Sequence, residues 1–380
     1  MNGTCFFLFG VVLRRLILWS VKFLYPPKQE NGNRQMPRTE DGSIISPDGK
    51  VLYFSLERFM DDICDGDCCF MCGVSPQDAP FNKEHILPNW LLRRFDLHNR
   101  SIVLPNGNEH RYGTYVVPCC EACNSLMSER IEIPVSRLLS QGSEAVYAHL
   151  RSEGPRLLFT WMSLIFLKIH LKDTGLRWHL DHRSGNEAIA DEYNWKIFHH
   201  LHALARSFYI DATINPEAFG SMICMPMKDI EGEEKFDLAD LSLAQTLFIR
   251  IDDIAIYTVF DDSCASMHGL QNLIENINGA ISRPQARELA ARLACCNLDL
   301  VNRPEFFTQV INGSSIVIGG VHEDTPIFPD TNSENLGPMM ERILGDYVQH
   351  ITNRPTHENM NLLRSGRLSF LFDDDGNFIS

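Results

Sequence analysis

Positive charge is scarce in the second part of this chain. Residues 141–380 carry 19 Lys and Arg against 33 Asp and Glu, whereas residues 1–140 carry 15 against 16. That imbalance excludes a general phosphate-binding surface over the second part, because nonspecific affinity for nucleic acid comes from clustered cations. The near-neutral first part escapes this exclusion, with Arg93, Arg94, Arg100, Arg111, Arg130 and Arg137 scattered through it. A long unbroken apolar run is also missing. The stretch 157–171 is interrupted by Lys168 and His170 and ends at Lys172 and Asp173, short of the roughly 20 residues a bilayer span needs. It is predicted to be a buried core helix. Residues 6–24 are apolar but contain Arg14, Arg15 and Lys22, and each central cation costs about 2.5–3.5 kcal/mol on insertion. No positive charge precedes that run, as a secretion signal would require. Membrane contact through residues 6–24 is therefore the less favoured reading, beside a surface helix or a true start near Met36. A cytoplasmic location is expected. No internal repeat is present.

The apolar fraction of 44% and charged fraction of 22% are those of an ordinary globular protein. Residues 26–48 are polar and rich in Pro, Gly and Asn, which predicts a linker. The chain therefore divides into an apolar segment with linker (1–48), a motif-bearing module (49–140) and an acidic region (141–380). In the last region, helical spacing continues over 191–208, and 284–296 and 335–352 also read as helices. Residues 208–226, 246–260 and 314–319 are rich in β-branched and aromatic residues, which predicts strands. The fold class expected is α+β.

Twelve cysteines would suggest disulfides in a small secreted chain. Here seven of them fall between Cys64 and Cys123 and include two C-x-x-C pairs, Cys69/Cys72 and Cys120/Cys123. Two thiolates at this spacing grip one Zn²⁺ from a tight turn, and two such knuckles complete a closed, structural tetrahedral site. Cys68 and Cys119 adjoin the pairs and leave the register open. Between the knuckles runs Lys83-Glu84-His85-Ile86-Leu87-Pro88-Asn89-Trp90-Leu91. On a strand, Glu84 and His85 face opposite sides, so one can meet a metal while the other meets substrate. Asn124 follows Cys123 at the start of a helix expected over 121–132. It could cap that helix, or give an amide oxygen to a hard cation.

The pattern C-x-x-C … E-H-I-L-P … C-x-x-C-N is similar to the HNH endonuclease superfamily, closest to its four-cysteine branch. The E-H-x-x-P-x-W-L form also resembles a group of bacterial HNH-like proteins. The resemblance covers roughly residues 65–140. It implies a ββα-metal, treble-clef-like zinc module, followed by a mixed α+β domain that it does not describe. It further implies a structural zinc on Cys69, Cys72, Cys120 and Cys123. His85 would be the general base, and Glu84 and Asn124 would hold a catalytic Mg²⁺ or Mn²⁺. The chain departs from the family pattern at three positions. Tyr115 stands where an Asn usually braces the loop, with Thr114 beside it. Glu84 replaces the commoner Asp, and Ser128 lies one turn after Asn124 where other branches place His.

The implied activity is metal-dependent hydrolysis of phosphodiester bonds in nucleic acid, most naturally DNA, in a bacterial defence system or mobile element. Arg93, Arg94 and Arg130 are candidates to help electrostatically. The alternative is a non-catalytic zinc module that binds nucleic acid or protein. The acidic region is a candidate surface for a protein partner. His170, His179, His182, His199, His200 and His202 form a second histidine-rich stretch, expected to be core-edge or surface residues. The pairs Asp252-Asp253 and Asp261-Asp262 and the run Asp373–Asp375 read as turns or solvated faces.

Overall fold

The computed structural model describes residues 38–181, 183–311, 315–321, 325–329, 334–351 and 354–380. The apolar stretch 6–24, most of the linker, and His182 lie outside the described residues. The fold is mixed α+β.

The first module is built on a short antiparallel pair, β1 (Phe81–His85) and β2 (Val116–Cys120), in the register Phe81↔Cys120 to His85↔Val116. Between them the chain inserts helix α1 (Asn89–Arg94) and a small hairpin of 101–103 with 109–111. The 47 residues separating the knuckles are thus an ordered excursion. Strand β2 runs directly into helix α2 (Glu121–Met127), and the next turn, Ser128–Glu132, is wound more widely as a π-helix. Such widened turns are rare and often sit at functional sites.

Helix α3 (Arg156–Asp173) follows, with every residue from Leu158 to His170 buried, so the expected core helix is present. Among the described residues no helix is long and apolar enough to cross a membrane. Helix α4 (Trp195–Ala205) packs beside α3.

The predicted strands over 246–260 form a hairpin. With two others it makes a four-stranded antiparallel sheet in the order β3 (Met222–Pro226), β6 (Ile254–Val259), β5 (Thr246–Ile251), β4 (Phe236–Leu241). Both central strands are buried along their whole length because the sheet is covered on both faces. Leu247, Ile249 and Ile256 share one core with α3 and the first module; Phe248, Ala255 and Tyr257 face helix α5 (Arg283–Leu298). Only part of 208–226 is extended, because Tyr209 and Ile210 continue the turn that ends α4. A second hairpin joins β7 (Glu305–Ile311) to β8 (Ser315–Val321). The helix expected over 335–352 is split into Leu336–Leu344 and a tighter 3₁₀ stretch, Gly345–His350.

One core runs across residue 140. It extends from Ile44 through the cysteine motifs, α3 and α4 to Ile318. Three polar links reinforce it, since Lys168, His202 and Arg206 all bond to residues of the first module. A fragment of residues 38–140 would lose Trp161, Phe166 and Phe198, all buried. It should show no cooperative thermal transition by circular dichroism; a sharp transition would mean that the module folds by itself.

A candidate metal centre beside a histidine-bearing strand

Each knuckle has its own local reason for existing. In the first, the Cys69 N–H donates to the Val74 carbonyl and the Gly73 N–H to the Cys69 carbonyl, closing the turn. Gly73 takes φ +77°, and a Cβ there would lie 2.7 Å from the Phe54 ring, so glycine is required on both counts. In the second, Cys120 ends β2 and caps α2, its sulfur accepting from the Cys123 N–H at 3.4 Å.

The four sulfurs of Cys69, Cys72, Cys120 and Cys123 lie within 4.8 Å of one another and can hold a metal ion such as zinc. The Cys72 and Cys120 sulfurs are 3.7 Å apart. A tetrahedron with Zn–S bonds of about 2.3 Å has edges of about 3.8 Å, so the spacing fits. The neighbouring thiols fall outside the set. Cys68 turns partly to solvent, and Cys119 is buried with its sulfur 3.8 Å from that of Cys69. Hydrogen bonds from Cys119, Cys123 and Cys72 hold the Cys69 thiol well below its ordinary value. The same contact with Cys69 pushes Cys119 far up, and contacts with Cys69 and Cys72 do so for Cys123. Cys69 is thus the favoured thiolate of the cluster, and a metal must displace protons from the thiols it binds.

The second part of the chain supports the first knuckle. His202 Nε2 lies 2.7 Å from the Phe70 carbonyl, and Arg206 donates to the carbonyls of Met71 (2.5 Å) and Val51 (2.6 Å). Arg206 is 1% exposed, and burial brings its guanidinium down to about 10. It remains a cation at neutral pH, placed against a centre that carries excess negative charge once four thiolates bind one Zn²⁺.

His85 and Glu84 do point to opposite sides of β1. His85 is half-buried, and burial lowers its pKa, so the imidazole is neutral at pH 7. The Gly113 carbonyl lies beside its ring. His98, which sequence reasoning passed over, has its ring centroid 6.2 Å away at an interplanar angle of 87°. A Cβ on Gly113 would come within 2.6 Å of the His98 carbonyl, so glycine lets this loop close against both histidines. Tyr115, at the counted Asn position, is buried. Its carbonyl accepts from the Ile86 N–H, while the Thr114 hydroxyl donates to the Arg111 carbonyl. The loop is therefore braced by backbone and by Thr114. The Pro-x-Trp-Leu portion is architectural: the Pro88 carbonyl begins α1, Trp90 stacks at 6.3 Å on Trp161 of α3, and Leu91 is buried.

The structure gives no support to the expected pairing of Glu84 with Asn124 around a catalytic Mg²⁺ or Mn²⁺. Glu84 is buried, and Lys168 Nζ sits 2.6 Å from its Oε1. The Asn124 amide donates to Asn82 Oδ1 at 2.7 Å. Among the described residues, the four cysteines are the only group of three or more His, Cys, Asp or Glu side chains close enough to share an ion. Glu84 is thus already paired with an ammonium, while the hydrogen bond to Asn82 uses the Asn124 amide nitrogen and leaves its oxygen open. The sequence hid this because the competing ammonium comes from residue 168, in a helix distant in the chain.

Two candidate cations are also engaged elsewhere: Arg94 pairs with Asp252, and Arg130 binds Asp211 and the Phe208 carbonyl. Arg93 is exposed. Among the described residues, the second histidine group forms no metal site. His199 and His200 bond to the carbonyls of Phe54 and Ala218, His170 is fully buried, and His179 is exposed. Asp262 departs from the solvated reading: it is buried and accepts from Ser221, Cys264 and Ser266.

No family model, curated protein or solved structure matches this chain.

The purified protein should carry one zinc per chain by plasma mass spectrometry. Cys69→Ser or Cys123→Ser should lower that content and the melting temperature. Zinc retention should weaken as pH falls, because each thiol must lose its proton to bind. Full zinc content in a variant lacking all four sulfurs would assign the metal elsewhere.

Proposed function

We propose that residues 49–140 form a zinc-stapled HNH-type module acting on phosphodiester bonds of nucleic acid, with His85 as general base. The observation that carries this reading is His85 itself. It is a neutral, half-exposed imidazole on the strand paired with the one that enters the second knuckle, flanked by the Gly113 carbonyl and by His98. A neutral imidazole takes a proton from a water poised in line with phosphorus, a contribution typically worth 10²–10⁴-fold. The water oxygen bonds to phosphorus as the ester oxygen leaves. His98, on the same side of the module, is the candidate to return a proton to that oxygen. DNA is the expected substrate. No step is assigned to a divalent metal, because Glu84 is already paired with the Lys168 ammonium.

The same engagement favours a second reading, a zinc module that binds nucleic acid or protein without catalysis. The acidic region, with its net excess of 14 carboxylates over cations in residues 141–380, is the part suited to a protein partner.

A plasmid-nicking assay separates the two. Zinc-loaded protein should nick, and His85→Ala should lose about 10²-fold or more of the rate, with His98→Ala reduced as well. Because burial lowers the His85 pKa, the rate should hold as pH falls to the ordinary imidazole value and decline only below it. Equal nicking by wild type and His85→Ala removes His85 as the base, and no nicking by either supports the binding module.

A further inference from the structure

The ion pair between Lys168 and Glu84 is part of a larger buried group. Lys168 is 1% exposed and lies in the C-terminal half of α3. Its Nζ is 2.6 Å from Glu84 Oε1, 2.8 Å from the His85 carbonyl oxygen and 3.8 Å from Glu132 Oε1. An ammonium has three N–H donors, and here three oxygens face it. Glu132 closes the widened turn after α2, so the group joins β1, the helix that follows the second knuckle, and α3. Burial raises the Glu132 carboxyl to about 7, and it shares a hydrogen bond with Glu84. The Lys168 amine thus occupies the space between the two carboxyl groups and takes up Glu84 Oε1.

We infer that the Lys168 ammonium is the resident cation of this site. It is held by Glu84, Glu132 and the His85 carbonyl, and it positions the strand that carries His85 without a divalent metal. The positioning half rests on His85 being the functional imidazole; the cation half does not. Lys168 is too buried to touch substrate and acts through the His85 backbone.

Two measurements on the zinc-loaded full chain test this. The first is titration with Mn²⁺, followed by the electron paramagnetic resonance signal of the free ion. Wild type should take up no Mn²⁺ at this site, and Glu84→Gln should leave the titration unchanged. Uptake of one Mn²⁺ per chain that disappears in Glu84→Gln would overturn the cation assignment. The second is the pH titration of the His85 imidazole by NMR. Lys168→Met, which keeps the apolar stem, should shift that titration. An unchanged curve in a folded Lys168→Met protein would overturn the positioning role. If that variant does not fold, the wild-type Mn²⁺ titration still decides the cation. Failure of the nicking assay would remove the catalytic reading while leaving the Mn²⁺ result intact.

Discussion

Four sulfurs from two segments 47 residues apart must converge within 4.8 Å, and much of the first module follows from that requirement. The second pair sits where β2 becomes α2, so the β1–β2 register and the helix direction are tied to the position of Cys120 and Cys123. The first pair is a loop turn with little regular structure of its own. It is held by Gly73 against Phe54 and by His202 and Arg206 reaching from α4 and just beyond it. A closed four-sulfur centre contributes folding free energy directly. Here its scaffold is shared between both parts of the chain.

Burial of charge is the second constraint. Lys168, Arg206, Arg250, Asp237 and Glu288 are nearly or fully buried, and each has polar partners. Breaking one side of such a pair costs about 3–5 kcal/mol, because it strands the other charge in a poorly polarisable interior. Asp237 accepts from both Arg283 and Arg287, fastening β4 to α5, and Glu288 receives the backbone N–H groups of Phe370 and Leu371.

These constraints meet at β1. Alternation on a strand sends Glu84 inward and leaves His85 toward solvent. Glu84 finds Lys168 inside, so the carboxylate serves as an internal anchor while the imidazole stays available. The closeness of the Gly113 loop brings His98 beside His85, while burial favours the neutral imidazole.

The sequence by itself determined the local features. The cysteine spacing located the two knuckles whose sulfurs can hold a metal, since C-x-x-C geometry is settled within four residues. Lys168 and His170 within an apolar run marked α3 as a core helix. The β-branched runs of 246–260 located the central hairpin, and the alternation of Glu84 and His85 followed from strand geometry alone. Tertiary structure decided everything that depends on meetings across the chain. It chose Cys120 over Cys119, brought His98 to His85, extended one core past residue 140, and placed the Lys168 ammonium where a divalent metal was expected. The physical reason is common to all four. A motif records which groups are near in sequence, but the charge and burial around each group are set by partners that only folding brings into contact.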